Sequence, residues 1–139
     1  MKLNPDCIRD VLLYLEENIK IDNRTFIPIS LKSLQEVFAN YSEEDIFYSV
    51  YNLKQAKFIE GKFTDIKDTK MAICEIQNIT YAGHQFLETV RPKPIWDKTK
   101  SVVSKVGVHT LGFIEEIAHD IAVESAKQAV SVAMLTQKQ

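Results

Sequence analysis

Apolar residues recur at helical spacing from the first residues of the chain. Ile8, Leu12, Leu15 and Ile19 share one face, and Arg9, Asp10, Glu16 and Glu17 lie off it. Asn4 and Pro5, just ahead of that run, supply an N-cap and a first helical residue whose missing N–H is no loss. Asp22–Thr25 interrupts the pattern. Phe26–Ile29 then reads as a short extended piece able to pair as a third strand, and Pro28 confines it to a sheet edge. Ser30 caps a second, short helix with Leu31, Leu34 and Phe38 inward, and Ala39, Asn40 and Tyr41 make a tight turn.

Ser42 opens the next helix. Its hydroxyl is placed to accept a first-turn N–H, and Glu43, Glu44 and Asp45 put negative charge at the positive end of the helix dipole. Ile46, Val50, Leu53 and Ala56 form a buried stripe, which leaves Tyr48, Tyr51, Asn52 and Gln55 on other faces. Phe58–Asp65 and Met71–Ile79 are rich in β-formers and predict two strands joined through a polar turn over residues 66–70. Thr80 caps a closing helix with Phe86, Leu87 and Val90 on its apolar face up to Arg91, where Pro92 and Pro94 stop it. The order helix, strand, helix, turn, helix, strand, strand is that of a winged helix-turn-helix. The expected fold is therefore α+β and mostly helical: a winged helix-turn-helix domain over 1–91 with a two- or three-stranded β wing, followed by a helical C-terminal extension over 92–139.

In that extension Pro92 and Pro94 read as a stiff connector. Ile95–Val106 then forms a helix with Trp96, Thr99, Val103 and Val106 on one side and Gly107 as its stop. Thr110 caps a last helix to about Leu135, on the order of 40 Å long. Its early face is large (Leu111, Ile114, Ile117, Ile121) and its later one small (Ala118, Ala122, Ala126, Ala129, Ala133). Small residues let another helix approach closely, so a homo-oligomer is expected through Ile114, Ile117, Ile121, Ala122 and Ala129.

Charge sharpens this picture. Residues 1–91 hold 11 Lys/Arg against 14 Asp/Glu, and the only locally basic stretch is Lys93, Lys98, Lys100 and Lys105, beyond the expected winged unit. Apolar residues make up 45% of the chain, enough for a core without staples. Cys7 and Cys74 each sit in an apolar pattern, as buried free thiols do in a reducing compartment. No apolar run approaches the roughly 20 residues of a membrane span, and no leader-like segment opens the chain; a cytoplasmic protein without membrane contact is expected.

Catalytic and metal chemistry find little support. Glu116 and His119 stand one turn apart, half of the arrangement that carboxylate-bridged metal bundles use, but no second pair exists. His84 and His109 have no Ser, Cys or carboxylate placed beside them in sequence, and the four glycines are isolated, so no phosphate-cradling loop can be built. No enzyme activity, cofactor or metal is expected.

A nucleic-acid reading has the architecture behind it. The second helix of the pair would send Tyr48, Tyr51, Asn52 and Gln55 towards base edges, with Lys54 and Lys57 near phosphates and Lys62, Lys67 and Lys70 of the wing along the adjacent backbone. Glu43, Glu44 and Asp45 oppose it, because they sit at the end that would approach the phosphates. The competing reading gives Phe47, Tyr48 and Tyr51 to packing or to a protein partner. Trp96 with its neighbouring lysines is a second candidate surface, for single strands or phosphate; the favoured reading makes Trp96 an anchor that docks the extension against the winged domain and leaves the lysines in water.

Four stretches carry a family resemblance: residues 1–10 (MKLNPDCIRD), 41–48 (YSEEDIFY), 53–59 (LKQAKFI) and 79–87 (ITYAGHQFL). Together they resemble an uncharacterised winged-helix family, a domain of unknown function carried by phages and prophages of low-GC Gram-positive bacteria. Trp96, Lys100 and the stretch around Gly107–Ile117 continue the likeness, which fades after about Ala122. The block Thr80-Tyr81-Ala82-Gly83-His84 is its most specific part. Lys57 departs from the pattern, since such domains commonly place Gly there to end the helix in a left-handed conformation. The resemblance implies a fold and a phage setting and brings no established activity. The resulting expectation is a phage or prophage DNA-binding regulator acting on double-stranded DNA. The alternative is an adaptor or inhibitor that binds a host or phage protein through the same scaffold.

Overall fold

Asn4 sets the start of helix α1 (Pro5–Asn18): its side chain accepts the Cys7 N–H at 3.3 Å, and Pro5 takes the first helical position. The computed structural model describes residues 1–66 and 70–137 and is α+β and mostly helical. The described chain forms two compact units, Met1–Leu87 and Glu88–Gln139.

In the first unit α1 is followed by strands β1 (Ile21–Asp22) and β2 (Thr25–Phe26), which pair with each other as a small hairpin. Asn23 and Arg24, at φ 48° and 63°, form its turn. The expected third strand is therefore shorter than Phe26–Ile29. Phe26 pairs with Ile21, and only β3 (Ile29–Ser30) joins the larger sheet, opposite Ile76 and Glu75. Ser30 then caps α2 (Leu31–Val37), accepting the Ser33 N–H at 3.1 Å. A turn closed by the Tyr41 N–H donating to the Phe38 carbonyl leads into α3 (Glu43–Gln55), where Ser42 accepts the Asp45 N–H at 3.1 Å. Strands β4 (Ile59–Ile66) and β5 (Lys70–Ile79) complete an antiparallel sheet of order β3-β5-β4, and α4 (Tyr81–Val90) follows.

The core of this unit gathers Ile8, Val11, Leu12 and Leu15 of α1, Leu34 of α2, Ile46, Val50 and Leu53 of α3, and Ile76 and Ile79 of β5. Phe58 stacks on Phe86, with centroids 5.2 Å apart. On α3 the expected stripe holds except at its end: Ala56 is only half-buried, and Ser49 is buried in its stead. Cys7 and Cys74 are free and buried; burial pushes both thiols up, Cys74 to about 11. At the mouth of the α2–α3 turn the Tyr41 hydroxyl donates to Asp10 at 2.5 Å, and its burial, reinforced by that carboxylate, raises its pKa.

The second unit pairs α5 (Lys93–Val106) with α6 (Leu111–Gln137). Pro94 lies inside the first turn of α5 with Pro92 as the cap, so only the first of these prolines lies outside the helix; first-turn N–H groups have no intrahelical acceptor to lose. Trp96, Thr99 and Val103 are buried, but Val106 is exposed, one residue before the left-handed Gly107 (φ 81°) ends the helix. Thr110 caps α6 by accepting the Phe113 N–H at 3.2 Å. Leu111, Ile114 and Ala118 are buried, Ile117, Ile121 and Ala122 are half-buried, and from Val123 to Thr136 all residues but Ser125 are exposed.

Candidate interaction surface on helix α3

Hydrogen bonds fix α3 at both ends. At its start, beside the Ser42 cap, the Asn4 amide reaches Asp45 at 3.5 Å and the Cys7 thiol donates to the Asp45 carbonyl, which ties the beginning of α1 to that of α3. At its end, Phe58 N–H donates to the Leu53 carbonyl and Lys57 N–H to that of Lys54, the paired bonds of a Schellman motif. Lys57 itself takes the left-handed conformation at φ 62°, so a turn that helix ends usually give to glycine is made here by a lysine. Phe58 and Leu53, the two positions whose apolar contact commonly accompanies the motif, are both buried.

Between those ends the helix presents Glu43, Glu44, Tyr51 and Gln55 exposed, with Phe47 and Tyr48 half-buried. Phe47 and Tyr51, one turn apart, stack with centroids 6.4 Å apart and planes at 19°. Asn52 is half-buried, and its amide donates to the Tyr48 carbonyl at 2.8 Å, so one of its donors is committed inside the helix. Lys54, expected near phosphates, lies with Nζ 5.2 Å from the centroid of the Phe63 ring on β4. Lys62 is exposed on β4 and faces Glu75 across the ladder. Lys67 and the side chain of Lys70 lie outside the described residues. Among the described residues the ribbon thus offers no row of unopposed cations leading to α3.

Beside the first two turns of α3 lies an open depression of about 410 Å³ lined by Met1, Gln35, Glu43, Glu44, Phe47 and Tyr48, with a wall that is mostly carbon. Met1 comes from the start of the chain and Gln35 from the neighbouring helix α2, and no periodicity within either segment points to them. Phe47 and Tyr48 fall just off the buried stripe, which is the one local signal for this depression.

Other candidate residues stay apart. Glu116, His119 and His84 are exposed, and no group of three or more His, Cys, Asp or Glu among the described residues is placed to hold a metal ion. No helix among those residues is long and apolar enough to cross a membrane. Lys93 pairs with Asp97 at 3.2 Å and Lys100 sits 6.0 Å from the Trp96 ring centroid, so two of the four clustered lysines are engaged within α5. On α6, Ile114 is 1% exposed and already covered by its own chain; of the residues expected to mediate association, Ala129 is exposed and Ile117, Ile121 and Ala122 are partly covered.

Residues 2–109 match the model of a family described as "Hypothetical protein (DUF2513)", and the chain belongs to that family. No curated protein and no solved structure matches it.

Proposed function

We propose that the chain is a non-enzymatic winged-helix protein of a phage or prophage that binds a protein partner through the exposed face of α3. The observation that carries this reading is the make-up of that face: stacked Phe47 and Tyr51, Tyr48 beside them, and Glu43 and Glu44 at the leading end. Aromatic residues in a patch are typical anchors of protein contacts. Carboxylates at the end that would meet phosphates work against nucleic acid, whose affinity rests on counterion release by cations. The element order of the first unit supports the winged-helix assignment, and the four stretches that resemble phage and prophage proteins support the setting. Self-association through the exposed distal half of α6 completes the proposal.

The DNA-regulator reading keeps one observation: Tyr51 and Gln55 are exposed on the half of α3 away from the carboxylates, and Lys62 is exposed on β4. Titrating the purified protein against a fluorescent duplex from its own upstream region and a scrambled duplex, over a salt series, separates the two. The protein-contact reading expects neither duplex to be retained at low salt. Tight, sequence-dependent binding that weakens linearly with log salt would replace it with the regulator.

A further inference from the structure

The depression beside α3 has a chemistry that selects among protein partners. Of the residues that line it, Phe47 and Tyr48 are half-buried and make its floor, the carboxylates Glu43 and Glu44 are exposed and make its rim, and Met1 and Gln35 complete the lining. No Lys or Arg lines it. Neither rim carboxylate makes a side-chain hydrogen bond or ion pair with another described residue. A purely apolar occupant would strip water from both without replacing it, and an acidic one would add repulsion. An occupant with an apolar side chain and an adjacent cation satisfies floor and rim together. The stacking of Phe47 on Tyr51 holds the floor in place before binding, which lowers the ordering cost of docking. At about 410 Å³ the depression suits a few side chains of a short segment and not a large ligand.

We infer that this depression docks a basic amphipathic segment of a partner protein, seating an apolar side chain on Phe47 and Tyr48 and setting a Lys or Arg against Glu43 and Glu44. The inference rests on the protein-contact reading of α3 and specifies the partner's chemistry. Because the ion pairs lie at a wet rim, the apolar anchor carries the affinity, and the charges set its salt dependence and choose the partner.

The test uses the full chain and three fluorescein-labelled helical peptides: one of leucine and lysine, one of leucine and glutamate, and one of serine and lysine without an apolar anchor. Anisotropy gives affinity, and amide shifts in a nitrogen-15 spectrum give location. Expected is binding of the leucine–lysine peptide alone, with shifts at Gln35, Phe47 and Tyr48. The double variant Glu43→Gln/Glu44→Gln, still folded although it melts a few degrees lower for want of two charges at the helix N-terminus, should bind it about three- to tenfold more weakly. Equal binding by that variant, or shifts away from these residues, overturns the site. Preference for the leucine–glutamate peptide at the same amides overturns the basic partner and leaves the protein-contact reading standing. Shifts of those amides by a DNA duplex and by no peptide overturn both.

Discussion

The Thr80 hydroxyl donates to the Lys57 carbonyl at 2.6 Å while accepting the Gly83 N–H at 3.1 Å. One side chain therefore caps α4 and fastens it to the end of α3, and the Thr80 N–H adds a bond to the Phe58 carbonyl at 3.0 Å. This gives a physical reason for the Thr-Tyr-Ala-Gly-His block: it locks the ribbon's return onto the helix before it. Thr80→Val keeps the shape and removes both hydroxyl bonds, at a cost of about 1–3 kcal/mol and a fall of several degrees in melting temperature. Thr80→Ser, which keeps both, should melt close to the parent. Equal losses in the two variants would show that the methyl group matters and the hydroxyl does not.

Lys57 occupies a conformation that its Cβ disfavours, and its side chain is exposed. Lys57→Gly should relieve that strain, offset partly by the greater freedom of glycine in the unfolded chain, for a net gain of about 0.5–1 kcal/mol. A urea midpoint that rises for glycine and falls for Lys57→Val is the expected pattern. An unmoved midpoint in both would mean that the neighbouring bonds absorb the strain.

Gly83 and Gly112 make an internal control. A Cβ on Gly83 would stand 2.1 Å from the Phe58 carbonyl oxygen and 2.7 Å from Ile79 Cγ2, whereas a Cβ on Gly112 meets nothing within 4 Å. Gly83→Ala must push α4 off the end of α3 and should cost about 2–4 kcal/mol. Gly112→Ala, in the first turn of α6, should be neutral or add up to about 1 kcal/mol. Thermal melts of the two variants side by side check this, and similar values for both would remove the close approach at Gly83 as a constraint.

What could be read from the chain follows the range of the interactions. The caps at Asn4, Ser30, Ser42 and Thr110 and the stop at Gly107 act within a few residues of themselves, and each stands where local chemistry places it. The cap at Thr80 was equally legible, but its bond to Lys57 was not, because the partner lies 23 residues away. The β1–β2 hairpin leaves little trace in the sequence because its left-handed turn is made by Asn23 and Arg24, without the glycine that usually marks such turns. Ser49 gives no apolar signal although it is buried. On α3 the exposed Tyr51 and Gln55 follow from the periodicity of one helix. The depression needs Met1 and Gln35 brought in by tertiary packing, and no local pattern encodes that.

Beyond Ala122 the described part of α6 is almost wholly exposed: Val130, Val132, Met134 and Leu135 are all more than half exposed. An isolated helical segment of this length is marginal in water, so association should be what keeps it ordered. A chain ending at Ala122 keeps the buried Leu111, Ile114 and Ala118, so its core should stay folded while its native mass in light scattering drops to that of a monomer. An unchanged mass would rule out the distal half of α6 as the association surface.

The buried thiol of Cys74 predicts a particular response to alkali. Burial raises its pKa from 9.0 to about 11, with Lys54 pulling weakly in the opposite direction. The folded chain therefore holds this proton more tightly than the unfolded one. The stability linked to it is complete below pH 9.0 and drains away as pH climbs towards about 11. In Cys74→Ala the titrating group is gone, although lost packing lowers stability throughout. The gap between parent and variant in urea midpoint should therefore be widest near neutrality and narrow through that window. A gap that stays constant would mean that the thiol titrates alike in both states and that water reaches it in the folded chain.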